Sequence, residues 1–280
     1  MSTVRRNFGE FQVTGLTHAY GGVPVLEDCS LEVPRGKLTV LVGPSGCGKT
    51  TLINILAGYE APAGGRVLLD GQPVGGPGPD RLVVFQETAL FPWMTVEQNV
   101  AFGCRVRGMP AGEMRERVQA VLVKVGLSDF QAKYPSQLSG GMQRRAELAR
   151  AMVNDPKVLM LDEPFRGLDA MTRSIMQEFY VGLFEEVGRN NLFITHDLEE
   201  AVFLADRLLI MTYRPGRIKE VIEVDLPRPR TFQVMATQRY NDIRQHALEL
   251  LFEEASKAFE AGSKAAFDLV DGLARAAGRQ

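Results

Sequence analysis

Short apolar runs alternate with turn-forming residues over the first two thirds of the chain, and helical stripes fill the gaps between them. Phe11 to Thr14 and Val25 to Val33 are strand-like, separated by the turn signal Tyr20-Gly21-Gly22. Arg66 to Leu69, ending at Asp70-Gly71, is expected to join them in a small antiparallel sheet. Leu38 to Val42 is an apolar, partly β-branched strand, followed by Leu52, Ile53, Ile55 and Leu56 at helical spacing. The Gly- and Pro-rich stretch Gly71 to Pro79 is a loop, and Leu82 to Phe85 a buried strand ending in Gln86. From Thr95 the period becomes helical: Thr95 and Gln98 form a capping box, and Met114, Val118, Val121, Leu122 and Val125 make a stripe that stops at Gly126. Ser139 is the natural N-cap of a helix from about Met142 to Met152. Strand Val158 to Leu161, helix Thr172 to Glu186, strand Leu192 to Thr195, helix Leu198 to Ala205 and strand Arg207 to Met211 follow. This βαβ alternation predicts an α/β core with a mainly parallel sheet, a small antiparallel β subdomain and a helical insertion at about residues 88–155.

Leu226-Pro227-Arg228-Pro229-Arg230 breaks the pattern and reads as an extended linker between a domain of residues 1–225 and a helical extension, 231–280, interrupted near Gly262. In that tail Leu248, Leu251, Phe252, Ala255 and Phe259 form one stripe, and Glu253/Lys257 and Glu260/Lys264 are favourable i,i+4 pairs. Such a face must be covered, either by the chain's own core domain, by a second copy's tail or by a partner.

Composition narrows the function. A net charge of -2 and 45% hydrophobic residues give an ordinary globular chain with no general attraction for nucleic acid or anionic lipid. Cys29, Cys47 and Cys104 are unclustered, as expected of reduced thiols in a cytoplasmic protein. Arg5 and Arg6 precede no apolar run, and no stretch approaches the roughly 20 apolar residues of a membrane span.

The chemistry is concentrated where strand meets helix. Gly43-Pro44-Ser45-Gly46-Cys47-Gly48-Lys49-Thr50-Thr51 fits G-x-x-x-x-G-K-[ST] at every fixed position, and lies between a strand and a helix as a phosphate-binding loop requires. Its glycines let backbone N–H groups turn onto a polyphosphate, beside the positive end of the helix dipole. Lys49 is then expected on the β- and γ-phosphates of a nucleotide, and Thr50 on Mg²⁺. Cys47 within the loop reads as a small packed thiol rather than a redox switch. Asp162, at a strand end, is placed to coordinate Mg²⁺ beside Thr50, with Glu163 the general base for the attacking water. His196 either touches the γ-phosphate or orients that water, or else is a hydrogen-bonded core histidine. Tyr20 reads by default as a core aromatic.

Taken together, the loop at residues 43–51, Gln86, Leu138-Ser139-Gly140-Gly141-Met142, Leu159 to Pro164 and Thr195-His196-Asp197 resemble the ordered motifs of ABC transporter ATPases, over roughly residues 11–225. The resemblance implies a head-to-tail dimer in which Ser139, Gly140 and Gly141 of one subunit close over the γ-phosphate held by the other. It also implies that Tyr20 stacks on adenine, that Gln86 links Mg²⁺ and catalysis to a membrane partner, and that Asp169 contacts the second subunit. Ala89 to Val96 with Asn99 to Gly103 looks like the bacterial importers of nitrate, sulfonate and taurine. In that reading Leu90, Phe91 and Trp93, next to Gln86, form an apolar cleft for a permease helix, although the same residues would also suit a buried hydrophobic knot. The implied protein is a peripheral ATPase on the cytoplasmic face of the cell membrane, in a homodimer or heterodimer, served indirectly by a substrate-binding protein. The alternative is an ABC-type ATPase of a non-import or soluble system.

Two departures stand out. Gln143-Arg144-Arg145, with Glu147 after it, replaces the usual Arg-Gln-Arg and a small or apolar residue. Phe165-Arg166-Gly167 puts a charge where the family often has small residues at the dimer seam, so Arg166 either bridges the seam or is solvated.

Overall fold

In the computed structural model, residues 9–188 and 190–261 are described. Met1 to Phe8, with Arg5 and Arg6, lie outside the described residues, as do the interruption near Gly262 and the Glu260/Lys264 pair.

β1 (Phe11–Tyr20) and β2 (Val23–Val33) form an antiparallel hairpin around Gly21 and Gly22, both at positive φ. β3 (Leu38–Val42) is buried at every residue and leads through the Gly-rich loop into α1 (Lys49–Ala57). β4 (Gly64–Leu69) returns to pair with β1, and the two-residue β5 (Gln72–Pro73) completes a four-stranded sheet, β2-β1-β4-β5. The remainder of Gly71 to Pro79 is loop, and β6 (Arg81–Val84) follows.

The helical insertion divides into two helices, α2 (Val96–Val106) and α3 (Ala111–Lys124), because Gly108 at positive φ and Pro110 stop the first. The capping box forms: the Gln98 N–H donates to the Thr95 hydroxyl and the Thr95 N–H to the Gln98 side chain. α4 (Gly140–Met152) begins at Ser139, whose Oγ accepts from the Met142 N–H. These helices enclose a core of their own, built on Leu90, Val100, Leu122, Val125 and Ala149.

β7 (Val158–Asp162), α5 (Ala170–Val187), β8 (Asn190–Thr195), α6 (Leu198–Leu204) and β9 (Arg207–Met211) complete the α/β unit. A further strand, β10 (Ile218–Glu223), pairs antiparallel with β9 and gives a six-stranded sheet of order β10-β9-β3-β8-β7-β6, otherwise parallel. β10 escapes the sequence pattern because an edge strand carrying Lys219, Glu220 and Glu223 lacks the apolar run of a buried one. Registers Val42↔Thr195 and Asp162↔Ile194 bring the carboxyl ends of β3, β7 and β8 to one edge, so Gly43, Glu163 and His196 emerge side by side.

The segment expected as an extended linker is packed instead. Leu226 and Arg230 are buried, and Arg228 pairs with Glu185 and Asp206. α7 (Gln238–Glu260) then lies on α6 and the sheet, with Tyr240, Ile243, Ala247 and Leu251 in the same core as Leu204 and Ile210. Its cover is thus the chain's own core domain. The buried face is turned from the expected stripe: Leu251 and Ala255 are inside, whereas Phe252 and Phe259 are half exposed. Helical geometry explains this, because positions 240, 243, 247, 251, 254 and 258 share one line on the helix and include a buried Glu254 that apolar counting skips.

Candidate functional site

The edge where β3, β7 and β8 end opens into a pocket of about 300 Å³. The loop residues Ser45, Gly46, Gly48, Lys49, Thr50 and Thr51 line it with Tyr20, Gln86, Asp162, Glu163 and Arg166. Gly46 (φ 77) and Gly48 (φ 106) hold conformations that an L side chain resists, and a Cβ on Gly48 would lie 2.8 Å from Leu26. Lys49 Nζ reaches back to donate to the Gly43 and Pro44 carbonyls at 2.8 and 3.0 Å. Cys47 is fully buried, and burial raises its thiol pKa, in keeping with a packed, unreactive group.

The Thr50 hydroxyl donates to Asp162 Oδ2 at 3.1 Å. Burial pushes the Asp162 carboxyl up, opposed by the Thr50 hydrogen bond and by Lys49. One residue on, Glu163 sits at φ 46, a left-handed conformation uncommon for Glu that costs on the order of 1 kcal/mol. This kink turns its side chain away from Asp162 and toward His196, whose Nδ1 lies 3.1 Å from Glu163 Oε2. Arg166 Nη1 is also 3.1 Å from that oxygen and reaches the Gln86 Oε1 at 3.4 Å. Burial opposes ionisation of Glu163, but His196, Lys49 and Arg166 outweigh it and hold its carboxyl below the usual range. The pocket therefore pairs a hydroxyl–carboxylate couple with an ionised carboxylate beside an imidazole.

His196 is exposed at the strand end, which disposes of the core-histidine reading. Tyr20 is 48% exposed, so the core-aromatic reading fails too; it packs edge-on against His18 at the pocket rim. Arg166 is neither merely solvated nor seen bridging a seam: its partners are Glu163 and Gln86. Ser139, Gly140 and Gly141 do not line this pocket; Ser139 and Gly140 are exposed at the start of α4, and Asp169 caps α5 through the Thr172 N–H.

The departures at 144 and 147 account for each other. Arg144 and Glu147 form a buried pair at 2.6 Å, Arg144 also donates to the Phe85 and Gln86 carbonyls, and Glu147 accepts from the Ala89 N–H. Burial pushes the Glu147 carboxyl up and the Arg144 guanidinium down, each opposed by the other's charge. The strand-to-helix segment carrying Gln86 is thereby tied to α4.

That segment also borders an apolar groove of about 520 Å³, lined by Leu82, Phe85, Phe91, Phe102 and Val106 with Arg150 at its side. Of the three residues expected to form a cleft, only Phe91 lines it. Leu90 is buried in the helical core, and Trp93 is 70% exposed beyond the lining while its ring packs on Phe91. Arg214, absent from every sequence expectation, lines the pocket at the Gly-rich loop and donates to the Gly46 carbonyl at 2.8 Å. The only sequence signal for it is the turn Arg214-Pro215-Gly216 after a core strand.

Comparison with known proteins gives one answer. The ABC transporter family matches residues 26–166. An uncharacterised ABC transporter ATP-binding protein of Methanocaldococcus jannaschii is 44% identical over 238 residues, covering 85% of this chain and 88% of that protein. A taurine import ATP-binding protein of Yersinia pestis is 46% identical over 213 residues, covering 76% and 84%. Among solved structures, cbiO1 of Clostridium perfringens, part of the ABC transporter complex cbiONQ, superposes with TM-score 0.72 at 29% identity, over 85% of this chain and 94% of that one. A dimeric ATP-binding cassette in a post-hydrolysis state with ADP and phosphate superposes with TM-score 0.66 at 27% identity, over 76% and 98%. With the phosphate loop, the carboxylate pair and the fold all in agreement, the chain belongs to the ABC transporter family, as one of its ATP-binding, ATP-hydrolysing subunits.

Proposed function

We propose that this protein is the ATPase subunit of an importer for a small solute such as taurine, a sulfonate or nitrate, acting at the cytoplasmic face of the cell membrane through a separate permease. The observation that carries the catalytic part is the grouping of Thr50, Asp162, Glu163 and His196 around the Lys49 loop. Glu163 takes the proton from the attacking water, and the imidazole of His196 orients its carboxylate. Lys49 exchanges its loop carbonyls for the β- and γ-phosphates, and backbone N–H groups of residues 45–51 cradle them. The Thr50 hydroxyl and Asp162 carboxylate, with Gln86 close by, are oxygen donors suited to Mg²⁺, a hard cation that completes its shell with water and phosphate. When bound, Mg²⁺ neutralises charge developing on the phosphates. Tyr20, exposed at the rim, offers a ring for adenine.

Ser139, Gly140 and Gly141, outside this pocket and at a helix start, serve a second subunit's nucleotide in a head-to-tail dimer. The apolar groove beside Phe91 receives the permease's short helix. The import reading is supported by the resemblance to proteins named for taurine import.

Glu163→Gln is expected to retain MgATP binding while slowing hydrolysis at least roughly a hundredfold, the usual worth of general-base assistance. Lys49→Ala is expected to weaken nucleotide binding itself. Turnover of the Glu163→Gln protein at the wild-type rate would remove Glu163 from the mechanism.

A further inference from the structure

α7 reaches the nucleotide pocket through a short relay. Glu254, 2% exposed on its inner face, accepts the Tyr213 N–H at 2.9 Å. Its other oxygen accepts from Lys219 of β10 at 2.8 Å and from Lys257 at 2.7 Å. Burial opposes ionisation of Glu254, but the two lysines outweigh it and keep the carboxyl charged.

The turn that begins at Tyr213 is tied by hydrogen bonds at both ends. Thr212 Oγ1 donates to the Pro215 carbonyl and accepts from the Arg217 N–H, both at 2.9 Å. The Gly216 N–H donates to Val25 of β2, and a Cβ on Gly216 would fall 2.1 Å from the Cys47 carbonyl, so the turn lies directly against the phosphate loop. Arg214 projects from it. Its Nε donates to the Gly46 carbonyl at 2.8 Å, and its side chain lines the pocket with Lys49. Neighbouring cations are neutralised, Arg217 by Glu27 and Lys219 by Glu253 and Glu254, but no carboxylate pairs with Arg214 among the described residues. A planar guanidinium anchored by Nε alone presents its Nη donors for an oxyanion.

We propose that Arg214 is a nucleotide-contacting residue that binds the phosphate chain at the Gly46 side of the pocket, and that Glu254 of α7 is its positioning residue, acting through Tyr213. α7 thereby sets phosphate affinity. This rests on the ATP-site reading above, so the test separates the two.

Binding of MgATPγS, MgADP and adenosine to the full-length protein is measured by calorimetry. Arg214→Ala is expected to weaken both phosphorylated ligands about tenfold, the scale of one charge-assisted hydrogen bond, and to leave adenosine unchanged. Arg214→Lys recovers part of the loss. Glu254→Gln weakens the same two ligands, and the Arg214→Ala/Glu254→Gln double variant binds no worse than Arg214→Ala alone. If Lys49→Ala abolishes MgATPγS binding while Arg214→Ala stays within about twofold of wild type, the Arg214 role is wrong and the site reading stands. If Lys49→Ala also binds as wild type, the site reading itself falls. Multiplied losses in the double variant would show that Glu254 acts by another route.

Discussion

Arg144 and Glu147 show how a pair of unusual side chains is constrained at the level of single atoms. Both are buried, and between them they satisfy the Phe85 and Gln86 carbonyls and the Ala89 N–H. Removing one partner strips the other of its nearest counter-charge, since Arg150 stands farther from Glu147, at 3.9 Å, than Arg144 does, at 2.6 Å. Glu147→Ala is expected to destabilise the protein by about 3–5 kcal/mol, and Arg144→Gln by a similar amount. The double variant Arg144→Gln/Glu147→Ala should lose less than the sum of the two single losses. Urea denaturation of the four proteins gives the coupling energy directly, and additive losses would mean the pair is not acting as a unit.

Among the elements, α6 carries a pH-sensitive group. Glu200 is buried in its first turn, where its Oε1 accepts from Gln177, and burial together with the nearby Asp197 pushes its carboxyl up to about 7. Between the ordinary value of 4.5 and about 7 the folded protein keeps a proton that the unfolded chain has released. Stability from this group is therefore full below about 4.5 and falls as pH rises to about 7. The loss is on the order of 2–3 kcal/mol. In Glu200→Gln that component of the pH dependence should vanish, as seen in unfolding free energies at acid and neutral pH. An unchanged slope would place the titration elsewhere.

The elements also show where sequence reading reaches its limit. β3, β7, β8 and the phosphate loop were legible because burial on both faces leaves unbroken apolar runs, and because the loop's chemistry fixes residue types at fixed spacing. Strand ends followed by Asp162, Glu163 and His196 were legible for the same reason. β10 was not, since an exposed edge tolerates charge. The phase of α7 departs from its apolar stripe because Glu254, charged yet buried, is held inside by Lys219 and Lys257, a tertiary arrangement that periodicity does not encode. Arg214 was invisible because its meaning comes from Gly46, far away along the chain. Arg144 and Glu147 were visible as oddities, and only their contact explains them.

At the scale of the molecule, the pocket around Lys49 and the exposed start of α4 are separate surfaces of one chain. If the active unit is a head-to-tail dimer, each site needs both. Chains carrying Ser139→Arg and chains carrying Lys49→Ala are each expected to be inactive alone. Mixed, they should recover ATPase activity through the one site that combines an intact loop with an intact Ser139. Zero recovery from purified mixed dimers would count against composite sites.

The seating of Tyr240, Ile243, Ala247 and Leu251 in the central core has a consequence for biosynthesis. The ribosome delivers the sheet and α6 well before α7, so the apolar surface of α6 and β9 that α7 covers emerges wet. Domains tend to fold as they emerge. Here the nascent chain carries the whole of the loop from Gly43 to Thr51 while still lacking the helix that packs on α6. A holding chaperone would find its binding surface in that interval, and slowing translation across residues 226–240 would lengthen it.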